Sequence, residues 1–158
     1  MKIDNIINLK EHPIYNQEYL DICSHNLKNN SVLVLKNFIT KQSLISLQKE
    51  ALLLESKAFY CSQKHTVLLN KYNDKISKDD PLNLEVTSDK GCVPHDLINN
   101  NSPLNILYKS LNFKKFLLSV LRINKIYPYK DKLSSINYNY YQNNQQLGWH
   151  FDNASFAI

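Results

Sequence analysis

Two rhythms of apolar and polar residues run along the chain. Leu44, Leu47, Ala51, Leu54 and Ala58 recur at spacings of three and four, which gathers them on one side of a helix. Thr40 offers a capping hydroxyl just before them, so the spacing predicts a helix from about Lys41 with an apolar stripe for a sheet. Five positions suit ordinary core packing better than a coiled coil. Ser102-Pro103 marks a second helix start, with Ser as cap and Pro where its missing N–H costs nothing. Helical spacing then runs through Leu104, Leu107 and Tyr108. It resumes through Phe113, Phe116, Leu117, Val120 and Leu121, until Tyr127-Pro128-Tyr129 ends it.

The second rhythm is that of strands. Val32 to Lys36 is a short apolar run bounded by Asn residues and predicts a buried strand. Phe59 to Cys61 and Thr66 to Leu69 predict two further pieces. The polar stretch from Asn73 to Gly91 reads as an exposed loop with a short strand at Leu84 to Thr87. Ser134 to Tyr141 is extended by composition, and a period of two puts Asn137, Asn139 and Tyr141 on one face. A turn-rich connection from Asn143 to Gly148 leads into Trp149 to Ile158, and the two extended stretches predict an antiparallel pair.

The mixture gives an α+β fold class, and 158 residues make a single domain over 1–158. No internal repeat is visible. Two Gly and five Pro exclude a collagen-like or low-complexity chain. No apolar run reaches the ~18 residues of a membrane span, so no membrane partner is expected. The start, MKIDNIINLK, lacks the apolar region of a secretory signal. Cys23, Cys61 and Cys92 are too few and odd in number for a disulfide framework, which points to a reducing, cytoplasmic compartment. The net charge of +5 comes from 19 basic and 14 acidic residues. The lysines are spread out, so the charge reads as a solubility feature and a nucleic-acid partner is not expected.

The candidate chemistry lies in His150-Phe151-Asp152. On an extended chain, residues i and i+2 project to one side, so an imidazole and a carboxylate emerge together. These are two of the three ligands of a 2-His-1-carboxylate triad, which leaves positions on Fe(II) open for a co-substrate and oxygen. A bare H-x-D is weak by itself and fits a solvated surface strand. Its context adds weight. Gly148-Trp149 precedes it, and Asn139 and Tyr141 lie eleven and nine residues before His150. An amide and a phenol there could hold a small dicarboxylate beside a metal.

The run SSINYNYYQNNQQLGWHFDNASFAI resembles the first metal-ligand hairpin of Fe(II)/2-oxoglutarate-dependent oxygenases, nearest to the HalD/BesD-like group. Members of that group hydroxylate or halogenate free amino acids and related small molecules. Tyr127-Pro128-Tyr129 with Asp131, followed by GWHFDN, is similar to that group in order and wording. Weaker likeness extends to Val34-Leu35-Lys36-Asn37-Phe38 and to Ser102-Pro103-Leu104 with Tyr108. The resemblance implies that His150 and Asp152 are the first two iron ligands. The Asn139-x-Tyr141 spacing also matches the co-substrate-contacting pair of the DNA-alkylation-repair branch. The implied fold is a set of helices packed on the first strands of a double-stranded β-helix (a jelly-roll), incomplete as given. The implied cofactors are Fe(II) and 2-oxoglutarate as co-substrate. A carboxylate at Asp152, where halogenating members carry a small residue, implies hydroxylation of a small molecule such as a free amino acid.

The chain reaches Ile158 six residues after Asp152. The family's second ligand His and its co-substrate Arg lie far downstream and are not among these residues. The expectation is therefore an N-terminal portion of such an oxygenase, inactive alone, with a second polypeptide as a partner able to supply the rest of the barrel. A non-catalytic remnant and a basic nucleic-acid-binding module are the alternatives. His65, His95 and Asp96 are weak candidates for completing the triad, and His12 and His25 are expected to face solvent. Cys61-x3-His65 with Cys92-x2-His95 offers a zinc set of uncommon spacing. Core packing of both cysteines is the simpler reading. His95-Asp96 could pair a base with its orienter, although adjacent strand residues point opposite ways and a loop pair satisfied by backbone is the better reading. Core and interface packing accounts for most of the ten tyrosines.

Overall fold

The computed structural model describes residues 2–131, 133–152 and 154–158. It is a mixed helix and sheet structure, consistent with α+β, with one three-stranded antiparallel sheet. The chain divides into two compact units, one from residues 1–54 and 94–137 and one from 55–93 and 138–158.

The first unit holds four helices: α1 (Gln17–Asn30), α2 (Lys41–Leu54), α3 (Pro103–Lys109) and α4 (Leu111–Leu121). Helices α1 and α4 face each other over a core of Ile7, Ile14, Leu20, Cys23, Phe113, Phe116 and Val120. Phe38 stacks on Phe116 at 5.9 Å between ring centroids. Ser102 caps as the sequence suggests, while the caps Asn16 and Ser110 were not anticipated. The Asn16 side chain accepts from Tyr19 N–H, Ser102 from Leu104 N–H and Ser110 from Phe113 N–H. Ser110 also divides the single periodic run of the sequence into α3 and α4, because a residue with extended dihedrals cannot continue a helix.

Three expectations in this unit change. Val32 to Lys36 forms no strand. Leu33 and Leu35 pack on the core while Val32 and Val34 stay exposed, and their backbone finds no partner strand. The pairing falls instead on Ile39, which bridges Ile7. Helix α2 begins where predicted, with Thr40 Oγ1 accepting from Ser43 N–H. Its buried positions, however, are Ser43 and Leu54, and Leu44 is exposed. Ser43 takes the inner position because its hydroxyl donates to Asn5 O at 3.3 Å. His12 is buried rather than solvated, bridging Tyr19 Oη at 2.6 Å and Lys36 O at 2.7 Å. His25 is exposed, as expected.

The second unit is built on β1 (Phe59–Thr66) and β2 (Glu85–Val93), paired antiparallel from Phe59↔Cys92 to Thr66↔Glu85. The first predicted piece opens β1, but of the second only Thr66 is strand, and Val67 to Leu69 form the turn that ends β1. Its polar middle, Ser62-Gln63-Lys64, stays in the ladder because only part of the sheet is buried, and the chain turns at Leu69 with φ 59°. Much of the expected polar loop belongs to β2. The rest is ordered by buried Asn83, whose amide donates to Asn73 O, Ile76 O and Ser77 O. The third strand, β3 (Tyr138–Tyr140), pairs with the other edge of β2 through Gly91↔Tyr140, Cys92↔Asn139 and Val93↔Tyr138.

The expected hairpin between the two last stretches does not form. Gln145 N–H donates to Gln142 O and Asn144 adopts φ 69°, so residues 142–145 loop out and close on themselves. The chain then resumes its course along the same edge of β2. Asp89 N–H donates to Gln146 O at 2.7 Å, Gly148 N–H to Ser88 Oγ at 3.0 Å and Phe151 N–H to Val67 O at 2.8 Å. Residues 149–152 join no ladder.

Candidate metal centre

The excursion along β2 delivers His150 and Asp152 to the end of the sheet where β1 passes into its turn. Gly148 is the pivot. A Cβ on it would lie 2.8 Å from Thr87 O and 2.8 Å from Val86 Cγ2, so only glycine allows the strand this close an approach.

His150 Nδ1 lies 2.7 Å from Gly148 O. A carbonyl oxygen only accepts, so Nδ1 carries the proton, and in the neutral imidazole Nε2 is left with its lone pair. That lone pair faces Asp152 Oδ1 at 3.3 Å. Two lone-pair donors this close are unfavourable unless a cation lies with them, either a proton on Nε2 or a metal ion. Two metal–ligand bonds of about 2.1 Å at right angles put their donor atoms about 3 Å apart. Nitrogen and carboxylate oxygen are also the donor types that suit Fe(II). The anchoring of Nδ1–H on a carbonyl is the outer hydrogen bond that metal-bound histidines usually make. The pair therefore fits two adjacent positions on one metal ion. The side chains are 19% and 57% exposed, which leaves the outer side of the pair open. Asn153, the last residue of the GWHFDN motif, lies outside the described residues.

Among the described residues no group of three His, Cys, Asp or Glu side chains is placed to hold a metal. His65 comes nearest, its ring centroid 5.9 Å from that of His150. Both its nitrogens are engaged, Nδ1 with Thr66 O at 2.8 Å and Nε2 with Ser88 Oγ at 2.6 Å. His95, in the other unit, is held by Ser135 Oγ at 2.5 Å and Asn105 Oδ1 at 3.0 Å. Its partner is thus Asn105 rather than the neighbouring Asp96, because adjacent side chains diverge. The alternative zinc set is not assembled. Cys61 and His65 lie four residues apart on β1, about 13 Å at strand rise. Cys61 and Cys92 are free thiols at diagonal positions of the β1–β2 ladder.

The other two predicted site residues lie further along the same edge. Asn139 sits in β3 opposite Cys92, four residues from Ser88, about 13 Å along the strand. Tyr141 follows β3 and is 47% exposed. Sequence reasoning noted Gly148 ahead of the pair but did not find Ser88, because a Ser carries no signal until the register places it beside Gly148.

The chain matches no protein-family model, no curated protein and no solved structure. No helix among the described residues is long and apolar enough to cross a membrane.

Proposed function

We propose that the chain carries the first two iron ligands, His150 and Asp152, of an Fe(II)/2-oxoglutarate-dependent dioxygenase resembling the HalD/BesD-like group, which hydroxylates a small molecule such as a free amino acid. The observation that carries this reading is the 3.3 Å bite between Nε2 and Oδ1, with Nδ1–H anchored on Gly148 O. Bound iron would supply oxygen activation coupled to decarboxylation of 2-oxoglutarate. Every other role belongs to side chains. His150 presents a fixed nitrogen lone pair. Asp152 offsets part of the metal's charge and fills the coordination position that a halide would need, which favours hydroxylation over halogenation. The resemblance would give Asn139 and Tyr141 the co-substrate's carboxylate, which requires it to reach along the edge of β2 from the His150–Asp152 pair.

Two donors are too few for a stable Fe(II) site, so this reading takes the remaining ligand, and the rest of a jelly-roll, from further polypeptide. Exposed aromatic surface beside the pair supports that: Trp149 is 86% exposed and Phe151 69%. Surface of this kind marks a site of association. Three free cysteines fit a reducing, cytoplasmic compartment.

Mn(II) titrated into the ¹⁵N-labelled chain tests the reading. Paramagnetic broadening should centre on residues 148–152, deepen on addition of 2-oxoglutarate, and vanish in His150→Ala. Broadening that survives His150→Ala unchanged overturns it.

A further inference from the structure

We propose that Ser135, His95 and Asn105 form a serine-nucleophile site in the helical unit, one that cleaves small carboxylic esters with an apolar acyl group. None of these groups belongs to the His150–Asp152 pair, so either reading can fail without the other.

Hydrogen-bond direction assigns the three roles. Asn105 is 1% exposed, and its Nδ2 donates to Ile98 O at 3.4 Å and Asn99 O at 3.2 Å. Those carbonyls only accept, which fixes the amide, so Oδ1 is the atom that faces His95 Nε2 at 3.0 Å. An amide oxygen only accepts as well, so Nε2 carries the ring proton. In the neutral imidazole the lone pair is then on Nδ1, which lies 2.5 Å from Ser135 Oγ and accepts from its hydroxyl. A hydroxyl on a base whose far nitrogen is held by a third group is the arrangement that activates a serine. A neutral Asn serves as the third member in some sets of this kind.

Three segments of one unit hold the set. His95 lies in a short 3-10 turn, Asn105 in the first turn of α3, and Ser135 in a turn that its own N–H closes on Asp131 O at 3.1 Å. Tyr108, three residues past Asn105 on the same face of α3, stands edge-on to the His95 ring, 5.9 Å between centroids at 80°. Its hydroxyl accepts from Tyr129 N–H at 2.9 Å, which pins the ring. His95 and Ser135 are half-buried rather than sealed in the core. Leu97 and Leu133, each two residues from a member of the set, are 41% and 57% exposed and offer apolar surface for an acyl chain. A neutral amide steadies an imidazolium less than a carboxylate does, which suits an ester with a good leaving group better than an amide substrate.

In the reaction Ser135 Oγ adds to the ester carbonyl carbon as its proton moves to His95 Nδ1. The carbon–oxygen bond to the leaving group breaks, and the departing alkoxide takes that proton. Water then attacks acyl-Ser135 with His95 again as base. The carboxylic acid leaves and Ser135 Oγ regains a proton. Asn105 touches no reacting atom and is a positioning residue.

The test is fluorophosphonate labelling of the full chain, located by peptide mass analysis, beside hydrolysis of p-nitrophenyl butyrate. The label should fall on Ser135, and turnover should vanish in Ser135→Ala while the circular dichroism stays that of the parent. His95→Gln should slow labelling about 10²- to 10⁴-fold. Ring ¹⁵N NMR should show Nε2–H on His95 in the unsubstituted protein, and a tautomer mixture with slower labelling in Asn105→Ala. An unlabelled Ser135, turnover that survives Ser135→Ala, or labelling as fast in a folded His95→Gln overturns the proposal. So does Nδ1–H on His95 of the unsubstituted protein, a result that holds even where a variant unfolds.

Discussion

His150 Nε2 and Asp152 Oδ1 face each other across 3.3 Å, with Nδ1 turned away onto Gly148 O. The relationship follows from a glycine that brings the chain against β2. Because Asp152 contributes charge rather than packing, Asp152→Asn should weaken Mn(II) by about tenfold or more, since ligand charge sets affinity for hard cations. Its unfolding free energy should stay within about 0.5 kcal/mol of the parent, as usual for an exposed position. Isothermal titration and urea unfolding read the two effects separately. Equal metal affinity in the two proteins would count against the ligand assignment.

Gly148→Ala tests the close approach. The added methyl meets backbone at Thr87 and a β-branched side chain at Val86, neither of which can rotate aside. Unfolding in urea should report a loss of about 1–3 kcal/mol. A neutral substitution would mean that the segment after residue 146 does not lie on β2.

Acid sensitivity is expected at Asp131. Its carboxylate accepts from Leu133 N–H at 2.8 Å and Ser134 Oγ at 2.7 Å. The backbone N–H first, and the hydroxyl second, hold the carboxyl below its usual range. A depressed folded-state value makes its contribution present above pH of about 4 and lost as pH falls through the folded value. Asp131→Ala should therefore be less stable than the parent near neutrality, and the gap should close below about pH 4. A gap that persists undiminished into acid would contradict this assignment.

Thiol reactivity should rank the cysteines. Cys23 is 2% exposed, and burial pushes its thiol up despite an opposing hydrogen bond from Tyr19. Burial raises Cys92 as well, with Lys90 pulling the other way. Reaction of the native chain with a disulfide reagent, followed by peptide mass analysis, should label Cys61 and Cys92 while Cys23 waits for unfolding. Labelling of Cys23 at the rate of the strand thiols would show that the α1–α4 core opens readily.

Much of the fold was legible wherever a local signal decided it. Thr40 and Ser102 cap helices because a short side-chain oxygen meets orphan N–H groups within its own turn, and apolar spacing carries α4 to its end. Strands were read less well. Val32 to Lys36 has strand composition and no partner, whereas Ser62-Gln63-Lys64 has poor composition and a full ladder. Strand formation depends on a neighbour that composition does not name.

The candidate site divides along the same line. The sequence by itself determined the pair of donors, because two residues separated by one on an extended chain return to the same side whatever surrounds them. Only the tertiary structure decided where that pair stands. A self-closing turn at residues 142–145 sends the chain onward along β2 instead of back on itself, and brings the Gly148 carbonyl within reach of His150 Nδ1. Hydrogen-bond direction is settled by whichever acceptor is within reach. Reach across strands depends on register, which residues far apart in the chain set together.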